Sequence, residues 1–248
     1  MENTYRDVNI AFANEVPLIC ESLGADIHDV HRFVNSLPND TTNPDANPYR
    51  NMHTPGAGVG GHCLPKDSWL LKYGLDTYEE IPVDPRIIVA SRQLNDYMPQ
   101  HMKTLLLDAL AERKLKPEET NILILGFAFL ENSDDPRNTP TMPLYNILRD
   151  GLNTVIIHDP YIKEYQDYPI TTDLAKALEN KDAAILVTKH QEYQHLTLDQ
   201  LKATLCTPII VDGRNVWNRH QAIEKGFTFI FFLVTFKRVY TPSIDGEG

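Results

Sequence analysis

The sequence predicts an α/β chain in two parts: an all-helical half over residues 1–114, closed by one long connecting helix, and a parallel-sheet half over residues 115–248. Three observations carry this. Up to about Lys114 the apolar residues recur every three or four positions, as helices require. After Asn121 short, continuous apolar runs alternate with helical segments, the pattern of strands covered on both faces of a parallel sheet. Between the two, Pro85 to Lys114 reads as one helix roughly 45 Å long at about 1.5 Å per residue, more than one small domain requires.

In chain order, Tyr5, Val8, Phe12, Val16, Ile19 and Leu23 form the apolar stripe of a first amphipathic helix, which Gly24 stops. No capping residue precedes Glu2, as if the chain began inside an element. A second helix follows Asp26, with Ile27, Val30, Phe33 and Val34 on one face. Pro38 to Pro55 is a loop rich in Asn, Asp, Thr and Pro. Ser68 to Tyr73 reads as a short helix, with a break over Gly74 to Asp84. The long helix carries Ile87, Ile88, Leu94, Met98, Met102, Leu105, Leu106, Ala109 and Leu110 on one stripe. Pro85 suits its first turn, and Pro99 is expected to kink it. Strands follow at Asn121–Phe129, Thr154–His158, Ala183–Thr188 and Pro208–Asp212, with helices at Pro140–Asp150, Leu174–Asn180 and Leu198–Leu205. Phe227 to Phe236 reads as a terminal buried strand. Ligands of such sheets bind at the carboxyl ends of strands.

Composition narrows the function. A formal charge of -11 opposes a nucleic-acid partner. No apolar run reaches the roughly 20 residues of a membrane helix. Cys20, Cys63 and Cys206 lack metal-ligand spacing and read as reduced thiols of a cytoplasmic protein, with Cys20 and Cys206 as packing residues. No metal site is expected. His28 and His31 are read as solvated rather than ligating.

The chemistry concentrates at Gly56-Ala57-Gly58-Val59-Gly60-Gly61-His62-Cys63-Leu64-Pro65-Lys66-Asp67. A dinucleotide fingerprint must leave a strand and open a helix, but Asn47 to Thr54 is polar and irregular, and Pro65 follows closely. The glycines fit better as a turn that wraps a ligand and presents Cys63. Lys66 puts a positive charge within reach of a thiolate, and Asp67 can orient water or balance charge. Taken alone, a free cysteine in a glycine loop remains the simpler reading. A thiol hydrolase using His62 is disfavoured, since an adjacent residue does not readily face the thiol.

Residues 55–67 resemble the active-site signature of the UDP-glucose/GDP-mannose dehydrogenase family. So do Glu2 to Ala11 with Asn14-Glu15, Leu94 to Pro99, Leu125 to Phe129, Asp134 to Arg137, Asp159-Pro160 and Asp212 to Asn215, in the family's order. The resemblance implies a helical central, dimer-forming domain followed by a Rossmann-like UDP-sugar-binding domain. It also implies oxidation of a UDP-sugar C6 hydroxyl to the uronate with NAD, in nucleotide-sugar and polysaccharide biosynthesis. Cys63 would capture the aldehyde and carry the thioester, Asp67 would assist the catalytic water, and Asn3 would stabilise the oxyanion. Gly60, Gly61 and Lys66 would shape the substrate loop. Arg137 and Arg214 would contact substrate, although ion pairs with Asp135 or Asp212 are the plainer reading of each. Arg50 would reach a partner's active site. Thr139 would cap the helix begun at Pro140 and leave its N–H groups open to an anion. Leu130 stands where glucose-oxidising relatives carry lysine, which resembles the branch oxidising UDP-N-acetylhexosamines, UDP-N-acetyl-D-mannosamine above all.

The family's NAD-binding domain would lie before Met1, and the main cofactor-binding residues with it. The expected partners are the UDP-sugar, a second copy through the central helices, and a separate chain carrying the NAD domain. The competing reading is a non-catalytic UDP-sugar-binding or dimer-forming remnant, or one part of a split enzyme.

Overall fold

The computed structural model describes residues 1–36, 51–78 and 83–230. Four helices open the chain: α1 (Glu2–Leu23), α2 (Ile27–Val34), α3 (Leu64–Tyr78) and α4 (Arg86–Glu112). Gly24 ends α1 in the left-handed conformation at φ 72°, which glycine adopts without a Cβ penalty. Asp26 caps α2 by accepting from the His28 N–H. α3 is longer than expected, starting at Leu64 and passing through Gly74 to Tyr78. α4 passes through Pro99 as one assigned helix.

Most of the expected apolar stripe of α1 faces outward, Val16 alone of it packing against the core. Tyr5, Phe12, Ile19 and Leu23 are exposed, and the helix buries Thr4, Asp7, Ala11, Ala13, Asn14, Pro17 and Cys20. The reason lies on α4, whose first half turns Arg92 and Asn95 inward, both 0% exposed. Arg92 Nη1 donates to Asp7 Oδ1 at 2.7 Å, and Asn95 Nδ2 donates to the same oxygen at 2.8 Å. Asn14 Nδ2 donates to Asn95 Oδ1 at 2.9 Å, and Ser68 Oγ reaches Asp7 Oδ2 at 3.3 Å. Burial pushes the Asp7 carboxyl up, and the Arg92 guanidinium opposes this. Buried charges persist only when paired and hydrogen-bonded, so this network dictates which side of α1 is inside. The second half of α4 follows expectation, burying Met98, Met102, Leu105, Leu106, Ala109 and Leu110.

After a short 3-10 turn come β1 (Asn121–Leu125), α5 (Thr141–Leu148), β2 (Thr154–His158), β3 (Ile170–Thr171), α6 (Leu174–Leu178), β4 (Ala183–Leu186), α7 (Gln191–His195), α8 (Leu198–Thr204), β5 (Ile209–Asp212), α9 (Arg219–Glu224) and β6 (Thr228–Ile230). All pairings are parallel, in the order β3-β2-β1-β4-β5-β6. Chain progression reverses between β1 and β4, so the crevice beyond their carboxyl ends is the switch point where such sheets take ligands. Ile122 to Leu125, Ala183 to Leu186 and Ile209 to Val211 are all 0% exposed, as double coverage by helices requires. Of the expected terminal strand, Phe227 to Phe236, residues 228–230 form β6 and residues 231–236 lie outside the described residues. Among those residues, no helix is long and apolar enough to cross a membrane.

Candidate functional site

The glycine loop joins the two halves. Gly56 N–H donates to Asn14 Oδ1 at 2.9 Å, which ties the start of the loop to the buried network under α1. Gly61 N–H donates to the Arg137 carbonyl at 2.9 Å, and Asn138 Nδ2 returns a bond to the Gly61 carbonyl at 2.9 Å. Gly61 sits at φ +92°, and a Cβ on Gly60 would press on Phe129 and lie 2.9 Å from the Asn138 carbonyl. These glycines serve close approach of the loop to the sheet half. Gly60→Ala is therefore expected to lower unfolding free energy by about 1–3 kcal/mol through overpacking. Gly74→Ala, with open space around it, is the neutral or stabilising comparison in thermal melts.

Immediately after the loop, Cys63 heads α3, its carbonyl accepting from the N–H groups of Lys66 and Asp67. Its thiol is exposed. His62 Nδ1 stands 3.8 Å from Cys63 Sγ, a long sulfur contact that adjacency in sequence was expected to prevent. Asp67 is held from both sides, by Lys66 Nζ at 2.6 Å and by Asn3 Nδ2 at 2.7 Å. The Lys66 bond, then the Asn3 bond, hold the Asp67 carboxyl below the usual carboxylate range, and the Asp67 bond holds Lys66 above its own. Lys66 thus directs its charge at Asp67. Asn3, Cys63, Lys66 and Asp67 meet at the N-terminal turn of α3; nearby, the hydrogen bond to Asp135 holds the Arg137 guanidinium above its usual range, with a smaller contribution from Cys63.

The Arg137 side chain makes three contacts with Asp135, at 2.6 to 3.0 Å, so the plainer reading of this residue describes its geometry. Arg214 pairs with Glu131 at 3.0 Å instead of with Asp212, which accepts the Arg214 backbone N–H. Arg214 borders a cavity of about 380 Å³ between the glycine loop and the carboxyl ends of β1 and β4, lined also by Gly58, Phe129, Leu130, Asn132 and Thr188. Cys63 does not line this cavity. Cys63 follows Gly60 and Gly61, on which Phe129, one of the residues lining the cavity, bears. Arg50 lies outside the described residues. Thr139 does not cap the helix as expected: α5 begins at Thr141 with Pro140 at the N-cap and no side-chain cap, and Thr139 Oγ1 accepts the Thr141 N–H at 3.2 Å in a two-residue turn just ahead of it.

Sequence reasoning passed over several residues around this site. Asp7, Arg92 and Ser68 sit under the loop, and Asn35 clamps Met52 through both main-chain groups, at 2.8 and 3.1 Å. His28 is half-buried against Asn215, and His31 bonds the Met52 carbonyl, so neither is simply solvated. Cys206 is exposed, not packed. No His, Cys, Asp and Glu group among the described residues could hold a metal ion.

Two family models match the chain. The one described as UDP-glucose/GDP-mannose dehydrogenase family, central domain, covers residues 1–97, and the one described as the UDP binding domain of that family covers residues 123–219. A UDP-N-acetyl-D-mannosamine dehydrogenase of Pyrococcus horikoshii is 36% identical over 216 residues, 87% of this chain and 47% of the relative. The solved structure of the UDP-D-ManNAc dehydrogenase from that organism aligns with a TM-score of 0.78 at 35% identity, over 94% of this chain and 50% of the other. An NDP-N-acetyl-D-galactosaminuronic acid dehydrogenase from Methanosarcina mazei Go1 aligns at 0.86 and 35% identity, over 93% and 49%. The chain spans about half the length of these relatives.

Proposed function

The chain belongs to the UDP-glucose/GDP-mannose dehydrogenase family, and from that premise we propose that it serves the NAD-dependent oxidation of a UDP-sugar C6 hydroxyl to the uronate. UDP-N-acetyl-D-mannosamine is the proposed sugar, and Leu130 at the cavity rim supports it. The observation that carries the reading is the meeting of Asn3, Cys63, Lys66 and Asp67 beside a cavity at the sheet's switch point.

The nucleotide occupies the cavity at the ends of β1 and β4, with Arg214 and Arg137 facing its charged groups and the glycine loop over the sugar. Ligand phosphate would compete for these guanidiniums with Glu131 and Asp135. Cys63 Sγ adds to the C6 aldehyde carbon while the thiol proton passes to the aldehyde oxygen, giving a thiohemiacetal; loss of its C6 hydride, for which NAD would be the acceptor, and of its hydroxyl proton would leave the thioester. Water then attacks that carbon, the carbon–sulfur bond breaks, and Cys63 returns as the thiol. Asp67, ionised between Lys66 and Asn3, receives the proton released by the water. The second Nδ2 hydrogen of Asn3 is free to steady the oxyanion.

The hydride acceptor implied by the family is NAD. The described residues do not build its cradle, because the glycine cluster leaves no strand and packs on Phe129. The chain's own groups therefore serve the covalent and hydrolytic steps at the sugar carbon. The proposed domain division is 1–114 and 115–248. A homodimer through the central helices is supported by the exposed stripe of Tyr5, Phe12, Ile19 and Leu23. A separate NAD-domain chain is a further proposed partner, and the cytoplasm the proposed location.

The test is oxidation of a panel of UDP-sugars with NAD, by the protein together with whatever chain supplies the dinucleotide domain. Uronate from UDP-N-acetyl-D-mannosamine in preference to UDP-glucose is expected. UDP binding with no uronate from any sugar would favour the non-catalytic remnant.

A further inference from the structure

A buried polar chain runs behind the cavity wall and is not used by the chemistry above. Asp159, just past β2, is 0% exposed and accepts five hydrogen bonds. Oδ2 takes the N–H groups of Phe127 at 2.7 Å and Ala128 at 2.9 Å, and Oδ1 those of Tyr161 at 2.8 Å and Ile162 at 3.0 Å. The fifth donor is His190 Nε2 at 3.1 Å, on a ring that is also 0% exposed and lies past β4. On its other side, His190 Nδ1 accepts the backbone N–H of Asn132 at 2.9 Å. A backbone N–H can only donate, so Nδ1 carries no proton and Nε2 carries the hydrogen given to Asp159. Asn132 stands at φ +53°, with its side-chain oxygen accepting the Gln191 N–H at 2.8 Å.

Asp159 therefore fastens the start of the segment 127–132, and His190 fastens its end. Between them lie Phe129, Leu130 and Glu131, which line the cavity, and Glu131 holds Arg214. We propose that His190 is a positioning residue for nucleotide affinity, setting the cavity wall through its single-tautomer bridge from Asp159 to Asn132. This rests on the reading that the cavity takes the UDP moiety.

Two conservative variants divide the bridge. In His190→Gln the terminal amide can still donate to Asp159, but the acceptor for Asn132 is gone. In His190→Asn the amide oxygen stands near the place of Nδ1 and can accept from Asn132, while the bond to Asp159 is lost. Titration calorimetry of the full chain with UDP is expected to show affinity weakened about tenfold in His190→Gln, the consequence of one unsatisfied buried donor. His190→Asn is expected to stay within about threefold of the unaltered chain, although both variants lose thermal stability. Amide exchange should report the same split, with Asn132 deprotected in His190→Gln alone. Equal affinities in the unaltered chain and His190→Gln, or equal weakening in both variants, would overturn the proposal. Failure of the unaltered chain to bind UDP would instead overturn the nucleotide reading and this proposal with it. Unchanged Asn132 exchange in His190→Gln, in a chain that binds UDP, would overturn this proposal alone.

Discussion

With Cys63 replaced by serine, uronate formation is expected to fall by roughly 10³- to 10⁶-fold, the scale on which removal of a covalent nucleophile acts. The hydroxyl is a far weaker nucleophile at neutral pH than a thiol, and an oxygen ester would replace the thioester as the species to be hydrolysed. Affinity for the UDP-sugar should hardly change, because Cys63 does not line the cavity at the switch point. The split between turnover and binding distinguishes a nucleophile from a packing cysteine. Cys20, 3% exposed inside the helical half, provides the contrast: its replacement by serine should alter stability and leave the ratio of turnover to binding intact. Uronate production by the Cys63 variant at near the normal rate would remove the covalent step from the mechanism.

Arg92→Ala is expected to cost about 3–5 kcal/mol of stability, because it leaves the Asp7 carboxylate buried without its counter-charge. For a chain of this size that corresponds to a fall in thermal midpoint of roughly 6–20 °C. The loss should spread to the glycine loop, since Asp7, Asn95, Asn14 and the Gly56 N–H are connected in series. Arg92 itself is not fully satisfied. Asp96 lies 3.1 Å from Nη2 without hydrogen-bond alignment, and Nε has no partner among the described residues. Replacing the charged pair together, as Asp7→Leu with Arg92→Met, should therefore recover much of the loss, as apolar substitutes for buried ion pairs often do. Equal melting of the single and double variants would show that the pair does not act as a unit.

This network also marks where the sequence was hardest to read. The sheet was legible because buried parallel strands are continuous apolar runs: Thr154–His158 was expected and found with the same bounds, and Ala183, Ile209 and Asn121 begin or nearly begin their strands as read. β3, with two residues, and the five- and six-residue helices α7 and α9 carry too little periodicity to be seen. On α1 the apolar stripe was real, but periodicity says only that a helix has two faces. The hydrogen-bond demand of Asp7 and Asn14, spaced seven apart and facing Arg92 and Asn95 on α4, decided which face went inside. That spacing was available in the sequence, where hydrophobic reasoning gave it no weight.

The site was legible in a different way. That the glycine cluster is a turn presenting Cys63 followed from its polar upstream flank; Pro65, read as a bar to a helix there, instead sits in the first turn of α3, where its missing N–H costs nothing. That Asn3 and Asp67 share one site came only through resemblance, and their direct contact across 64 residues only through the structure, because no local rule pairs residues so far apart. The plainer alternative for Arg214, an ion pair with Asp212, is not what forms: Arg214 reaches Glu131, since backbone N–H groups already fill the Asp212 carboxylate.

The most direct measurement of the central claim, that a nucleotide sugar sits with its reacting carbon at Cys63, is the rate of iodoacetamide alkylation at that thiol. Cys206 is an internal control, because it is also exposed but bonds through its N–H to the Lys181 carbonyl, at the opposite end of the sheet from the glycine loop. Saturating UDP-N-acetyl-D-mannosamine is predicted to slow alkylation of Cys63 and to leave that of Cys206 unchanged. An unaltered rate at Cys63 in a chain with the nucleotide sugar demonstrably bound would contradict the claim.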